Sequence, residues 1–219
     1  STGEVMAIGR TFEEALQKAI RSLEIDKDFG DAEIARKSEK ELIKMIEIPN
    51  DERIFAIYEA LRRGISADLI AEKSKIDIFF IKKIENIVKM EVELRKRAKN
   101  DEELREILRK AKRMGFSDGR IARLTGRSVE EVREMRRSLR ILPTYKMVDT
   151  CAAEFEAETP YYYSTYEEEC ELQPSKRKKV LIIGAGPIRI GQGIEFDYCT
   201  VHAVKALKEE GIEAHIINN

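Results

Sequence analysis

The sequence predicts a mostly α-helical chain that ends in the start of an α/β unit, and two observations carry that prediction. Apolar side chains keep helical spacing across residues 25–142, with breaks at Gly30, Pro49, Gly64, Gly115, Gly126 and Pro143 and no strand pattern between them. Residues 180–183 are then aliphatic without alternation, as in a strand covered on both faces. Four glycines follow at 184, 186, 191 and 193, and a second helical pattern leads to a further strand at 213–218, the outline of a β-α-β unit.

Residues 5–8 read as a strand, and Thr11 with Glu14 reads as a T-x-x-E capping box. Phe12, Leu16, Ala19, Ile20 and Leu23 recur at helical spacing and predict a core-facing stripe. Asp51, Ser66, Asp77 and Ser128 have the chemistry of N-caps, and Ser128 pairs with Glu131 as a second box. Ile54, Phe55, Tyr58 and Leu61 share one helix face, as do Ile81, Ile84, Val88 and Val92. The helix after the glycines is expected to bury Phe196, Ala203, Val204 and Leu207 and to end at Gly211.

An internal echo runs through the helical region. The segment from Arg62 aligns with the one from Arg113 at an offset of 51 residues, pairing Gly64 with Gly115, Ser66 with Ser117 and Ile70 with Ile121. Each copy has the outline of a helix-turn-helix, and between Lys89 and Arg140 there are 17 basic against 10 acidic residues. A DNA-binding reading therefore stands as an alternative. Against it, residues 147–171 carry eight acids and no base, and residues 129–140 lack the Asn or Gln commonly used to read adenine.

Composition narrows the function classes. With 40 basic and 41 acidic residues, the chain has no charge surplus that would draw it to nucleic acid or a membrane. No apolar run approaches the ~18 residues of a membrane span, no signal peptide is read, and cytoplasm is the expected compartment. Cys151, Cys170 and Cys199 are an odd, scattered set that supports neither disulfides nor zinc, and each is expected to be a small buried residue. A charged fraction of 37% resembles the balance of heat-adapted proteins. The TPYYYSTY run at 159–166 reads as a packed crossover, because the adjacent glutamates would repel a stacked nucleic acid.

The glycine loop is not a dinucleotide fingerprint. A G-x-G-x-x-G beginning at Gly184 needs glycine where Arg189 stands, and the second strand does not end in the expected acid. Arg189 either steers an anion near the loop or forms a structural salt bridge; the residues leave both open.

Three ordered segments do resemble one family. GEVMAIGRTFEEALQKA near the start, YKMVDTCAAEFEAETPYYYSTYEEECE from Tyr145, and GPIRIGQGIEFDY in the glycine loop look like the central part of the large subunit of carbamoyl phosphate synthetase. The resemblance implies a helical oligomerisation domain followed by the start of a Rossmann-like pre-ATP-grasp domain. The implied division is 1–24, the last strand and helix of the first, carboxyphosphate-forming ATP-grasp half; 25–171, the oligomerisation domain with its crossover; and 172–219, the truncated opening of the second half.

The same resemblance implies an ATP-dependent ligase serving arginine or pyrimidine synthesis. It makes carbamoyl phosphate from bicarbonate, ammonia released from glutamine, and two ATP. ATP with Mg or Mn would be bound by the intact enzyme and not fully by this piece, whose metal-binding and catalytic residues are expected beyond Asn219; both ends look cut. The implied partners are a glutaminase subunit or domain, the rest of the large subunit, and further copies. Glu4, Gly193 and Glu195 match positions along the passage that shields carbamate from water. From the residues alone, Glu4 is either a buried acid needing a polar partner or an exposed one beside a loop. Gly184, Gly186, Arg189 and Gly191 belong to the loop that opens the second half. The competing reading is a non-catalytic helical interaction protein with a synthetase-like tail.

Overall fold

The structure, a computed structural model, describes residues 5–23, 25, 28–156, 158–184 and 195–217, with the backbone alone at 195–197. Among these, a helical body is built from α1 (Phe12–Ser22), α2 (Glu39–Glu47), α3 (Arg53–Arg62), α4 (Ala67–Ser74), α5 (Ile78–Arg97), α6 (Asp101–Arg113), α7 (Asp118–Thr125) and α8 (Val129–Ser138). A hairpin follows, in which β1 (Thr144–Met147) pairs antiparallel with β2 (Tyr162–Thr165), Tyr145 opposite Ser164. Then β3 (Lys179–Ile183) and β4 (Glu213–Ile217) pair in parallel through α9 (Glu195–Glu209). The mostly helical class with an appended α/β start is what the periodicity predicts.

The 20-residue α5 is the axis of the body, packing against α1, α3, α4, α6 and α7. Its buried face is Ile81, Ile84, Ile87, Val88, Met90, Glu91 and Leu94. Val92, expected on that face, is exposed, because the helical period carries the buried stripe through Glu91 instead. On α3, Phe55, Tyr58 and Leu61 are buried and Ile54 packs at the core's edge.

Most predicted helix starts hold. Ser66, Asp77 and Ser128 accept the backbone N–H groups of Leu69, Phe79 and Glu131, and Ser128–Glu131 is a full capping box. Ser38–Glu41 is another, missed in the sequence. Asp51 is not a cap: Glu52 occupies that position with no side-chain capping hydrogen bond to the helix's first turn, and Asn50 Oδ1 accepts the Glu52 N–H.

The start of the chain departs furthest from expectation. Residues 5–9 form no strand, since no other described segment pairs with them. Thr11 caps α1 by accepting from Glu14 N, but Glu14 takes the Arg10 N–H at 2.7 Å rather than closing the box. The helix also buries polar residues: Glu13, Glu14, Gln17 and Ser22 lie inside with Ile20. Each acid and amide has a partner there, Glu13 with Lys83 and Asn86, Glu14 with Lys18, and Gln17 with the Met114 carbonyl, which is why burial is tolerated.

The internal echo is structural. At the two turns, Gly64 (φ +86°) and Gly115 (φ +93°) adopt the same left-handed conformation. The following residues donate to matched carbonyls, Ile65 to Ala60 and Phe116 to Ala111. Left-handed Lys75 and Gly126 then end α4 and α7 at equivalent positions. The copies differ in what covers the turn. A Cβ on Gly115 would lie 2.9 Å from Glu14 Cα, whereas nothing lies within 4 Å of one on Gly64.

In the β-α-β unit, β3 is not covered on both faces: Val180, Leu181 and Ile183 are exposed, because α9 is the only described layer packed on it. For the same reason Ala203 is exposed while Val204 and Leu207 are half-buried; the Phe196 side chain lies outside the described residues. Gly211, at φ +69°, follows the helix as expected. The cysteines are not buried either, Cys151 being intermediate and Cys170 and Cys199 exposed, since all three fall outside the helical core.

The unequal turns make a paired prediction. Gly64→Ala pays only for positive φ and should lower unfolding free energy by about 1 kcal/mol. Gly115→Ala adds a backbone overlap and should cost about 2–4 kcal/mol. Urea denaturation of the two variants measures the difference, and equal losses would contradict the packing of α1 on the second turn.

Candidate functional site

Of the residues singled out from sequence, the structure reaches few. Glu4, Gly186, Arg189, Gly191 and Gly193 lie outside the described residues, as does the Glu195 side chain, although Glu195 is the first residue of α9. Gly184 is described: its N–H donates to the Ile217 carbonyl at 2.7 Å, extending the β3–β4 pairing by one step and fixing where the loop leaves the sheet. Among the described residues no group of three or more His, Cys, Asp or Glu side chains is arranged to hold a metal.

What the structure brings together is a polar interior that sequence reasoning missed. Arg120, on α7, is buried and reaches four segments. Its Nη2 donates to Glu91 Oε2 and Tyr58 Oη, both at 3.1 Å, while Nη1 lies 3.4 Å from Gln17 Oε1 and 3.5 Å from Asp28 Oδ1. The guanidinium carbon is 5.1–5.6 Å from the ring centres of Phe29, Tyr58 and Phe116, and Phe29 stacks on Tyr58 at 4.5 Å. A flat, permanently charged group surrounded by carboxylates and ring faces suits such a place better than lysine would. Beside it opens a cleft of about 430 Å³ lined by residues 28–32, Glu91, Arg95, Arg120, Arg123 and Leu124.

A second cluster anchors the crossover. Asp118 accepts from Lys112 Nζ at 2.7 Å and faces Arg136 Nε at 3.3 Å. Burial raises the Asp118 carboxyl, but the Lys112 hydrogen bond and the charges of Lys112 and Arg136 outweigh it, so the group sits below the usual range. Tyr166, just after β2, lies over both cations, with Lys112 Nζ 4.8 Å and the Arg136 guanidinium 5.7 Å from its ring. Arg113 holds the Tyr166 carbonyl and pairs with Glu167 and Glu168.

These contacts weigh against the DNA-binding reading. Lys112, Arg120, Arg127 and Arg136, four of the basic residues of the second helix-turn-helix copy, point into ion pairs with Asp118, Glu91, Asp101 and Asp118 respectively. Side chains so engaged do not track phosphates. The signal available in sequence was the surplus of arginine on short helices, which marks either an interface or buried pairs.

Asp118→Asn should cost about 3–5 kcal/mol, because two buried cations lose their counter-charge. The sign with pH follows from the depressed carboxyl. Its contribution is fully present above the unfolded value of about 3.9 and is lost as pH falls through the lower folded value. Urea midpoints of parent and variant should therefore converge on acidification below about pH 4.

Comparison with known proteins places this framework. Residues 4–140 match the family described as carbamoyl-phosphate synthetase large chain, oligomerisation domain, and residues 176–219 match the carbamoyl phosphate synthase preATP-grasp domain. Along its whole length the chain is 63% identical to the carbamoyl phosphate synthase large chain of Methanothrix thermoacetophila, 58% to that of Methanosarcina acetivorans and 53% to that of Archaeoglobus fulgidus. It spans about a fifth of the length of these relatives, 20%, 20% and 21%. Since the first match covers more than half of its residues, the chain belongs to the carbamoyl-phosphate synthetase large-chain family.

Proposed function

We propose that the chain is the central portion of a carbamoyl phosphate synthase large chain, an ATP-dependent ligase. The observation that carries this reading is 63% identity sustained over every residue of the chain to a protein of that name. In this reading residues 1–24 close the first synthetase half, 25–171 form the oligomerisation domain with its crossover, and 172–219 open the second half.

The whole enzyme would phosphorylate bicarbonate in one half, let ammonia displace the phosphate to give carbamate, and phosphorylate carbamate in the other. Carboxyphosphate and carbamate are both lost to water if released, so a closed passage between the halves is required. Glu4, Gly193 and Glu195 would lie along it, Gly193 because a side chain there would narrow the bore. ATP and Mg or Mn would be held by parts of the relatives' length that this chain does not cover, with Gly184, Gly186, Arg189 and Gly191 shaping the loop that starts the second half. A glutaminase subunit or domain would supply ammonia, the helical body would associate with further copies, and the product would feed arginine or pyrimidine synthesis in the cytoplasm.

The 219-residue chain by itself should show no bicarbonate-dependent ATP hydrolysis. In the intact large chain, Gly193→Ile should leave that hydrolysis in place while carbamoyl phosphate formation from ammonia falls by at least ~10-fold, a barrier change of about 1.4 kcal/mol or more. ATPase activity of the short chain, or unimpaired product formation by the variant, would count against the assignment.

A further inference from the structure

Lys18 occupies a position that neither the core nor the glycine loop explains. An ammonium has three N–H donors, and here each meets an oxygen on a different part of the chain. Nζ lies 2.9 Å from Glu14 Oε1 on its own helix, 2.8 Å from the Ile8 carbonyl in the segment before it, and 2.5 Å from the Ser164 carbonyl of β2. The same ammonium lies 5.7 Å from the centre of the Tyr163 ring, and the Tyr163 side chain is also the main influence raising the Arg10 guanidinium. Glu14, which receives Lys18, is itself 1% exposed and also takes the Arg10 backbone N–H.

The partners are far apart in sequence, Lys18 and Ser164 being 146 residues distant. The crossover carrying Ser164 is fixed at its other end to the helical body, through Tyr166 over Lys112 and Arg136 and through Arg113 on the Tyr166 carbonyl. Residues 5–10 have no sheet partner among the described residues, and the α1 side chains Glu14 and Lys18 tie them down through the Arg10 N–H and the Ile8 carbonyl.

We propose that Lys18, with Arg10 and Tyr163, forms a joint that couples the segment before α1 to the crossover strand β2. Loosening of β2 from the helical body then loosens residues 8–10 as well. If residues 1–24 and 172–219 belong to the two synthetase halves, a consequence that rests on the proposed function, this joint links the end of one half to the strand leading towards the other. Lys18 acts as a positioning residue in that link.

The test is amide hydrogen exchange by NMR on the 219-residue chain, read at the Arg10 N–H and at the hairpin amides Val148 and Glu167. Tyr166→Leu removes the anchor and should speed exchange at the hairpin and at Arg10 together, by about 5- to 10-fold. In a Lys18→Met, Tyr163→Phe background the same Tyr166→Leu change should still speed the hairpin but no longer alter Arg10. Arg113→Met, a milder loosening of the same strap, replaces Tyr166→Leu if that variant does not fold. An Arg10 amide that ignores the strap change while Lys18 is intact, or responds equally after the joint is cut, overturns the proposal. Because the readout is exchange within this chain, it is independent of whether the intact protein makes carbamoyl phosphate.

Discussion

The burial of Arg120 is the constraint on which the helical body turns. A guanidinium cannot shed its charge inside a protein, so the fold must surround it with acceptors and counter-charge or lose several kcal/mol. Gln17 from α1, Asp28 from the following loop, Tyr58 from α3 and Glu91 from α5 converge to do so. Each approach is set by packing elsewhere: Phe29 stacks on Tyr58, and α5 supplies Glu91 from a face otherwise filled by Ile84, Ile87 and Val88. An apolar residue would fill the space without dictating which helices meet there. A five-donor fork specifies partners in a way that hydrophobic burial, being non-directional, does not.

The same logic explains why two copies of one supersecondary unit have diverged. Gly64 and Gly115, the serine caps and the left-handed stops are common to both, and these are the parts dictated by backbone geometry. The surfaces are not common. The residue equivalent to Arg120 in the first copy is Leu69, which is exposed, and among the described residues nothing lies within 4 Å of a Cβ on the first turn's Gly64. At the turn itself only the second copy is covered by α1 among the described residues, through Gln17 on the Met114 carbonyl and Arg21 on the Gly115 carbonyl at 2.7 Å. Two helix-turn-helix units thus give an asymmetric body, with its polar ties gathered where α1 and the crossover arrive.

How much of this was legible depends on whether the governing interaction is local. Ser66, Ser117 and Ser128 cap helices because each oxygen reaches an N–H three residues away, and such spacings are visible in the chain. The apolar stripes of α3 and the first half of α5 were equally readable. The buried face of α1 was not: Glu13 and Gln17 look like solvent-facing residues until their partners at 83, 86 and 114 are in place. Strand burial misled for a different reason, since Val180–Ile183 has the composition of a two-sided strand while the described residues cover one side. The expected passage residues rest on resemblance alone, as Glu4 and Gly193 carry no local signature that separates a tunnel wall from a turn and both lie outside the described residues.

A joint built of charged side chains rather than packed methyl groups has a mechanical consequence. Hydrophobic contacts resist separation but allow sliding, because their energy follows area and not direction. Lys18 has no such freedom, as each of its three donors is committed to one oxygen, and two of those oxygens belong to backbone carbonyls that move only with their segments. Just past β2, Arg113 holds the Tyr166 carbonyl and the Lys112 and Arg136 cations lie against its ring. Between the two grips lie only Thr165, almost fully buried, and its neighbours, so the strap has little length over which to absorb a displacement. Directional ties at both ends of a short strand are what a fold needs if two regions on either side of a helical body are to keep register.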